Sequence, residues 1–226
     1  MTARERWRAD VDRYVEAARH SSRFARRLRV VLFCEGLWAI GLYRFGQYLY
    51  EEAPRPLRAL LRIPYELARK LLTIVIGIHL DPRTRIGPGL YIAHFGGIWI
   101  NPRVVMGAHC NLAHNVTIGA PTVEAGAPVL GDRVWIGAGA VVTGPITIGS
   151  RVVIGANSLV TSNLPEGAVA VGVPARVLSY SGSDRFMNQG KPRAAIADHA
   201  PVDGADAHPR APEPQAASSA RLMTEG

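Results

Sequence analysis

Three side chains that can move protons are spaced as if they shared one edge of a repeating fold. His94 and His114 are twenty residues apart, and Asp132 follows eighteen residues later. Each of them stands two places after an aliphatic residue. If three short strands of six residues close one coil, the three side chains stack along one edge, about 4.8 Å apart per coil. A histidine pair with a carboxylate predicts a general acid–base site on that edge.

The six-residue period that positions these side chains runs from residue 80 to residue 165. An amphipathic helix would repeat near 3.6 residues and an ordinary strand every two. A period of six held this long predicts a mainly β fold, a left-handed parallel β-helix with one aliphatic column filling its interior. The column consists of Leu80, Ile86, Ile92, Ile100, Met106, Leu112, Ile118, Leu130, Ile136, Val142, Ile148, Ile154 and Val160.

Two interruptions of the repeat lie near the predicted site. The step from Ile92 to Ile100 is eight residues instead of six, and Phe-Gly-Gly at 95–97 follows His94 within this longer step. We expect them to bulge the coil beside His94, because bulges are enriched next to active sites. The second interruption, residues 120–129, is rich in proline and glycine and predicts a loop that could fold over the same edge.

Charge and composition divide the chain into three parts. Residues 1–80 contain fifteen Arg or Lys and eight Asp or Glu, which is +7 of the total formal charge of +8. We therefore predict a basic helical N-terminal subdomain at 1–78 and the β-helix at 79–180. Residues 181–226 are rich in Ala, Pro, Gly, Asp and Ser, so we expect a disordered tail that cannot bury enough apolar area to fold.

The basic N-terminal helices allow two interpretations. They can pack on the end of the β-helix and on its copies in an oligomer, or they can rest on an anionic membrane with their arginines toward the headgroups. Nucleic-acid binding is a weaker third interpretation because no recognisable binding module accompanies the charge. The apolar runs are too short to span a bilayer, and no signal peptide is visible, so we expect a cytoplasmic protein that is at most peripheral on the inner membrane face.

The two cysteines, Cys34 and Cys110, are too few for a disulfide framework and fit a reducing compartment. Cys110 falls on an inward position of its repeat, so we expect a buried and unreactive thiol. We expect no metal, because histidines on one straight edge cannot easily surround zinc tetrahedrally. A covalent acyl-enzyme is also disfavoured, since no Gly-x-Ser-x-Gly elbow is present.

Four motifs in order resemble the serine acetyltransferase group of hexapeptide-repeat acyltransferases, and most closely its members in polysaccharide biosynthesis. The motifs are Gly-Pro-Gly-Leu-Tyr-Ile-Ala-His-Phe-Gly-Gly-Ile at 87–98, Asn-Val-Thr-Ile-Gly at 115–119, Trp-Ile-Gly-Ala-Gly-Ala at 135–140 and Gly-Val-Pro-Ala-Arg at 172–176. The resemblance covers residues 75–180. It implies a homotrimer with acetyl-CoA in the groove between subunits and direct transfer of the acetyl group to an acceptor hydroxyl.

The resemblance also implies roles for single residues. His94 matches the catalytic general base. Gly119, Ala138 and Ala156 match the backbone beside the pantetheine arm of acetyl-CoA, and Arg176 lies near the nucleotide end. We look for the residue that orients His94 among three candidates, Asp81, His114 and Asp132.

Three departures from the family pattern concern the acceptor. Ala93 stands where serine acetyltransferases carry an aspartate before the catalytic histidine, and His79 stands where they carry the orienting aspartate. Gly126 and Ala127 replace their Arg-His pair. We therefore expect an O-acetyltransferase that acts on a sugar hydroxyl in surface polysaccharide synthesis. The alternatives are an L-serine O-acetyltransferase of cysteine biosynthesis and a non-catalytic trimeric scaffold.

Overall fold

Four helices and a π-helical turn precede the repeats. The computed structural model describes residues 1–17, 23–120, 122 and 125–187. The N-terminal helices are α1 (Ala3–Ala17), α2 (Arg23–Phe33), α3 (Glu35–Gln47) and α4 (Arg55–Ile76), with the π-helical turn at Tyr48–Glu52 between α3 and α4. Helix α4 carries a proline in its first turn, where a missing N–H costs nothing, and ends at Gly77 in the left-handed conformation. The predicted helical N-terminal segment is confirmed.

Fifteen short strands follow α4 in the described part of the chain, and a short helix ends it. The strands are β1 (Ile78–His79), β2 (Arg85–Ile86), β3 (Tyr91–Ile92), β4 (Ile98–Ile100), β5 (Val105–Met106), β6 (Asn111–Leu112), β7 (Thr117–Gly119), β8 (Val129–Leu130), β9 (Trp135–Ile136), β10 (Val141–Thr143), β11 (Thr147–Ile148), β12 (Val153–Ile154), β13 (Leu159–Val160), β14 (Val169–Gly172) and β15 (Ala175–Ser179), and the final helix is α5 (Asp184–Met187).

The strands form the three faces of a parallel β-helix. The first sheet has the order β1-β4-β7-β10-β13, the second β11-β8-β5-β2, and the third β15-β14-β12-β9-β6-β3. All pairs are parallel except β14 with β15, which form an antiparallel hairpin after the last coil. Every residue of the predicted aliphatic column is buried, with at most 5% of its surface exposed. The predicted interior is confirmed.

The pairing register contradicts one step of the period arithmetic. Ile92 pairs with Leu112, twenty residues on, but Leu112 pairs with Ile136, twenty-four residues on. The coil between them contains six extra residues, which belong to the loop between β7 and β8. Leu130 therefore pairs with Met106 on the second sheet and not with Leu112 on the third.

The N-terminal helices are attached to the β-helix by a buried ion pair. Arg44 on α3 donates to Asp10 on α1, with Nε and Oδ2 2.8 Å apart, and both side chains are almost completely buried. The same guanidinium donates to the carbonyl oxygens of Ile86 and Gly87, and the N–H of Leu90 donates to Asp10. Together these hydrogen bonds provide partners for the buried charges of Arg44 and Asp10, which would destabilise the fold if they were buried without partners.

The outward face of α4 is apolar and exposed. Its large residues, each 64–72% exposed, are Leu60, Ile63, Leu67, Leu71, Ile74 and Val75. The opposite face packs through Tyr65 and Ile76. Within the described ranges, no helix is both long enough and apolar enough to cross a membrane.

The chain after β15 is ordered further than the sequence predicted. Ser183 donates to the carbonyl oxygen of Arg133, Asp184 forms an ion pair with Arg133, and Phe186 packs on Trp135 with ring centroids 5.0 Å apart. The expected start of disorder at residue 181 is wrong for 181–187, because an aromatic ring and an ion pair attach this segment to the coil. Residues 188–226 lie outside the described part.

Candidate active site

His94 and His114 share one edge of the β-helix, as predicted. Both lie at the corner that joins the third sheet to the first, one coil apart, and both are exposed. Their rings meet edge to face, with centroids 6.0 Å apart. Two residues after Ile136 and Ile154, the same corner carries Ala138 and Ala156. We call this row of four residues, His94, His114, Ala138 and Ala156, the histidine edge.

Asp132 does not lie on the histidine edge, so the prediction that it stacks with His94 and His114 is wrong. It follows Leu130 on the second sheet, at a different corner of the prism. Its Oδ1 accepts a hydrogen bond of 2.7 Å from the N–H of Ala108 on the coil before. The error follows from the six extra residues in the loop between β7 and β8, which keep the period but move the chain on by one face.

The two-residue insertion forms the expected bulge beside His94. Gly96 and Gly97 both have positive φ angles, 100° and 65°, which other residues rarely adopt. A side chain at Gly97 would collide with the amide of Asn115 on the next coil. The carbonyl of Gly96 accepts from the N–H of Asn115, so the bulge is fixed to the coil that carries His114.

The predicted cofactor residues divide between two corners and the final hairpin. Ala138 and Ala156 continue the histidine edge, and the N–H of Asn157 donates to the carbonyl of Ala138. Gly119 ends β7 at the corner between the first and second sheets, where a Cβ would meet only Asn101 at 3.9 Å. Arg176 is exposed on β15. The small residues therefore leave an open surface that begins at His94 and runs toward the hairpin.

The loop at 120–129 lies away from the histidine edge wherever it is described. The carbonyl of Thr122 accepts from Arg103, and a Cβ at Gly126 would meet Pro145. Arg103 and Pro145 both lie between the first and second sheets. The expectation that the loop folds over His94 therefore fails for these residues, while Pro121 and residues 123–124 lie outside the description.

Two of the groups proposed to orient His94 are engaged elsewhere. Asp81 accepts two hydrogen bonds from the Arg83 guanidinium and one from its backbone N–H. Burial opposes ionisation of Asp81, but these bonds outweigh it and lower its pKa. Asp132 caps Ala108. Of the three candidates only His114 is adjacent to His94.

His79, which stands where the family carries its orienting aspartate, stacks on Trp99. The two rings are nearly parallel, with centroids 4.0 Å apart. Burial lowers the pKa of His79, and Arg69 lowers it further. A neutral imidazole packed on an indole can contribute no negative charge to His94.

A cavity of about 160 Å³ opens beside His94, between the β-helix and the N-terminal helices. From the β-helix it is lined by Tyr91, Ile92, Ala93, His94 and Phe95, and from the helices by Tyr14, Ala17, Val30, Cys34, Glu35 and Gly36. Tyr14 holds the two walls together, because its hydroxyl donates to the carbonyl of Ile92 at 2.8 Å and accepts from the N–H of Ile92 at 2.9 Å.

The two cysteines differ in accessibility. Cys110 is buried, as predicted, and burial raises the pKa of its thiol to about 12. Cys34 is partly exposed and lines the cavity; burial and then the Glu35 carboxylate raise its pKa. Among the described residues no group of three or more His, Cys, Asp or Glu side chains is arranged to hold a metal ion.

Sequence reasoning did not single out Glu35 as a site residue. The signal was present, because Glu35 is the only charged residue between Val30 and Tyr43. Glu35 lines the cavity with His94 because α3 packs against β3, which follows it in the sequence by more than fifty residues. Gly36 permits this contact, since a Cβ there would lie 2.7 Å from the carbonyl oxygen of Ile92.

Comparison with known sequences agrees with this geometry. The family "Bacterial transferase hexapeptide (six repeats)" matches residues 127–162. The serine acetyltransferase of Mycobacterium tuberculosis is 36% identical over 170 residues, which cover 74% of this chain and 71% of that relative. The chain belongs to the serine acetyltransferase family.

Another member of the family, the serine acetyltransferase of Synechococcus elongatus, is 36% identical over 159 residues. The match covers 69% of this chain and 62% of that relative, so the chain spans less than two thirds of that relative's length. The family resemblance expected from the four motifs is confirmed.

Solved structures of serine acetyltransferases have the same fold. The enzyme from Brucella abortus in complex with coenzyme A matches with a TM-score of 0.66 and 25% identity, over 79% of this chain and 68% of that one. The enzyme from Neisseria gonorrhoeae in complex with serine matches with a TM-score of 0.65 and 29% identity, over 77% and 68%. The left-handed parallel β-helix predicted from the six-residue period is confirmed.

Proposed function

We propose that the chain is an acetyl-CoA-dependent O-acetyltransferase with L-serine as its first candidate acceptor. The observation that carries the proposal is the position of His94, exposed at a bulge and in line with the small residues Ala138 and Ala156. A thin linear cofactor can lie along such an edge with its thioester beside the imidazole. The relatives and solved structures named serine acetyltransferases, one with coenzyme A and one with serine, support both substrates.

In the proposed reaction, the neutral imidazole of His94 removes the proton from the acceptor hydroxyl while the oxygen attacks the thioester carbonyl. The tetrahedral intermediate collapses, the C–S bond breaks, and the proton held by His94 passes to the coenzyme A thiolate. The N–H groups of Gly96 and Gly97 make no hydrogen bond within the described ranges, so they are available to the developing oxyanion.

A sugar hydroxyl remains the second candidate acceptor, and two observations favour it. The family's carboxylates are replaced by Ala93 and His79. His79 also stacks under Trp99, whose indole is 53% exposed and offers an aromatic surface close to the bulge. The comparisons support L-serine more strongly than this sugar interpretation, which the sequence had favoured.

Thiol release from acetyl-CoA separates the two acceptors. The purified chain is tested with L-serine and with a panel of nucleotide sugars and free hexoses. Turnover of L-serine at a rate well above that of any sugar supports the first candidate. A sugar that exceeds L-serine would reverse the ranking, and no acceptor-dependent thiol release at all would leave the non-catalytic scaffold as the better description.

We also propose that the chain acts as a homotrimer. The histidine edge, with the small residues Ala138 and Ala156, forms only one wall of a cofactor groove, and a neighbouring copy would provide the other. Light scattering of the purified protein is expected to give about three times the chain mass of 24.4 kDa. A monomer that retains full activity would contradict a groove shared between subunits.

Finally, we propose that the apolar face of α4 contacts an anionic membrane surface. The face is flanked by the exposed cations Arg55, Arg62 and Lys70, whereas the one acid of the helix, Glu66, is bonded to Arg69. Packing two copies of α4 together would oppose like charges, while a bilayer with anionic headgroups would neutralise them.

Vesicle sedimentation tests this contact. Binding is expected to vesicles that contain phosphatidylglycerol and to fall sharply on pure phosphatidylcholine or at high salt. Leu67→Asp should weaken binding, whereas Leu178→Asp, at an equally exposed leucine on β15, should not. Equal binding by both variants would contradict the proposal, and a concentration-dependent increase in mass without lipid would indicate a second copy instead.

A further inference from the structure

We infer that the cavity beside His94 is the acceptor site, and that Glu35 selects an acceptor with a cationic ammonium group near its hydroxyl. The inference rests on the proposed acetyl transfer and adds a residue and a substrate class to it.

The cavity brings together the two groups that such an acceptor needs. Both groups line the cavity: His94 is on the bulge after β3, and Glu35 is in the first turn of α3. The two elements approach closely, since only a glycine at position 36 leaves room for the carbonyl of Ile92. A hydroxyl at His94 and a charged group at Glu35 can therefore belong to one small molecule.

Glu35 is available for a ligand. It is exposed, and its carboxylate makes no hydrogen bond or ion pair with any described residue. Among the described residues that line the cavity, Cys34 and Glu35 are the only thiol and carboxylate, and the others contribute apolar groups, tyrosines, backbone and His94. A carboxylate in such a setting favours a cation, and an ammonium group can donate to it directly.

Size restricts the acceptor. A volume of about 160 Å³ is below the roughly 300–1,000 Å³ of pockets that hold drug-sized ligands. An amino alcohol or a small hydroxy-amino acid fits this volume better than a glycan. Glu35 would then supply, from a different element of the fold, a negative charge that Ala93 cannot provide.

Acceptor kinetics test the inference with Glu35→Gln, Glu35→Asp and, as a matched control, Glu166→Gln at an exposed turn of the β-helix. We expect Glu35→Gln to raise the KM for L-serine by about 10- to 100-fold, the size of one lost charge-assisted hydrogen bond. Its KM for acetyl-CoA and its melting temperature should stay close to wild type. Glu35→Asp should recover part of the affinity, and Glu166→Gln should change nothing.

Acceptor analogues identify the group that Glu35 recognises. The wild type should prefer L-serine over 3-hydroxypropanoate, which lacks the ammonium group, and Glu35→Gln should lose that preference. A wild type that acetylates L-serine while Glu35→Gln keeps the same KM and the same preference would overturn the inference. It would leave the proposed acetyl transfer intact.

Cys34 provides a second readout that does not depend on turnover. Because Cys110 is buried, iodoacetamide should modify Cys34 alone, and saturating L-serine should slow that reaction in the wild type but not in Glu35→Gln. Without ligand, Glu35→Gln should react faster, since the carboxylate that raises the Cys34 pKa is gone. If L-serine gives the wild type no protection, the cavity is not its site. If it protects without being acetylated, the proposed function fails and the binding site stands.

Discussion

The β-helix and the N-terminal helices each contribute one wall of the cavity beside His94, and they are held in different ways. The β-helix repeats the same contact from coil to coil, with a buried aliphatic residue inside and parallel hydrogen bonds to the adjoining coils. The helices are attached at a few separate points, chiefly the Asp10–Arg44 pair and the hydroxyl of Tyr14. One wall is held mainly by repeated contacts between coils, and the other depends on single side chains.

This difference separates the chemistry from the selection of the acceptor. His94 lies on the wall built of repeated coils, directly after β3, which is the last strand of its sheet and pairs with β6. Glu35 lies on the wall that the separate anchors hold. We therefore expect substitutions on the histidine edge to change the rate of acetyl transfer, and substitutions at the anchors to change stability and the affinity for the acceptor.

The largest effect is expected for His94→Ala. A general base is worth about 10²–10⁴-fold in rate, so kcat/KM for acetyl transfer should fall by that factor. Because the side chain is exposed, the melting temperature should change little. The measurement is thiol release under saturating acetyl-CoA. His114→Gln is the matched variant on the next coil, and a smaller loss there would assign it a positioning role. A wild-type rate in His94→Ala would exclude His94 as the base.

Arg44→Ala is expected to give the largest loss of stability. It leaves Asp10 buried without its partner, which typically costs about 3–5 kcal/mol in the free energy of unfolding. The control is Arg133→Ala, whose ion pair with Asp184 is about half exposed and is worth about 1 kcal/mol at most. Urea denaturation followed by circular dichroism compares the two. Similar losses for both variants would mean that the anchor is no more important than a surface pair.

Tyr14→Phe is expected to have an intermediate effect. Removing the hydroxyl leaves the buried N–H and carbonyl of Ile92 without this partner, at a cost of about 1–3 kcal/mol. Since Ile92 precedes His94 by two residues and lines the cavity, the KM for the acceptor should also rise. Tyr180→Phe, at an exposed tyrosine, is the control. A change in stability with no change in KM would show that Tyr14 holds the helix without shaping the acceptor site.

The β-helix could be predicted from the sequence because the residues that fill its interior recur at a fixed spacing. From Ile86 onward, successive column residues lie on successive strands, so counting in steps of six along the sequence finds the interior. The same count failed at Asp132 for a physical reason. The loop between Ile118 and Leu130 adds six residues, which preserves the phase of the repeat while moving every later residue to the next face.

The two-residue insertion beside His94 was visible for the opposite reason, since it breaks the period. The cavity could not be predicted, because its walls meet through contacts such as Tyr14 with Ile92, nearly eighty residues apart. A lone acid in the apolar run from Val30 to Tyr43 was the only sign of Glu35. Such a sign marks an unusual residue without showing what it faces.

The smallest effect is expected for Asp132→Asn, which tests the corrected register. An asparagine oxygen can still accept from the N–H of Ala108, so stability should fall by about 1 kcal/mol or less and acetyl transfer should stay within about twofold of wild type. Thiol release and urea denaturation measure the two quantities. A hundredfold loss of activity at unchanged stability could not arise within one chain, because Asp132 and His94 lie at different corners of the prism. That result would require the carboxylate of one subunit to reach the histidine edge of another, and it would locate the active site between copies.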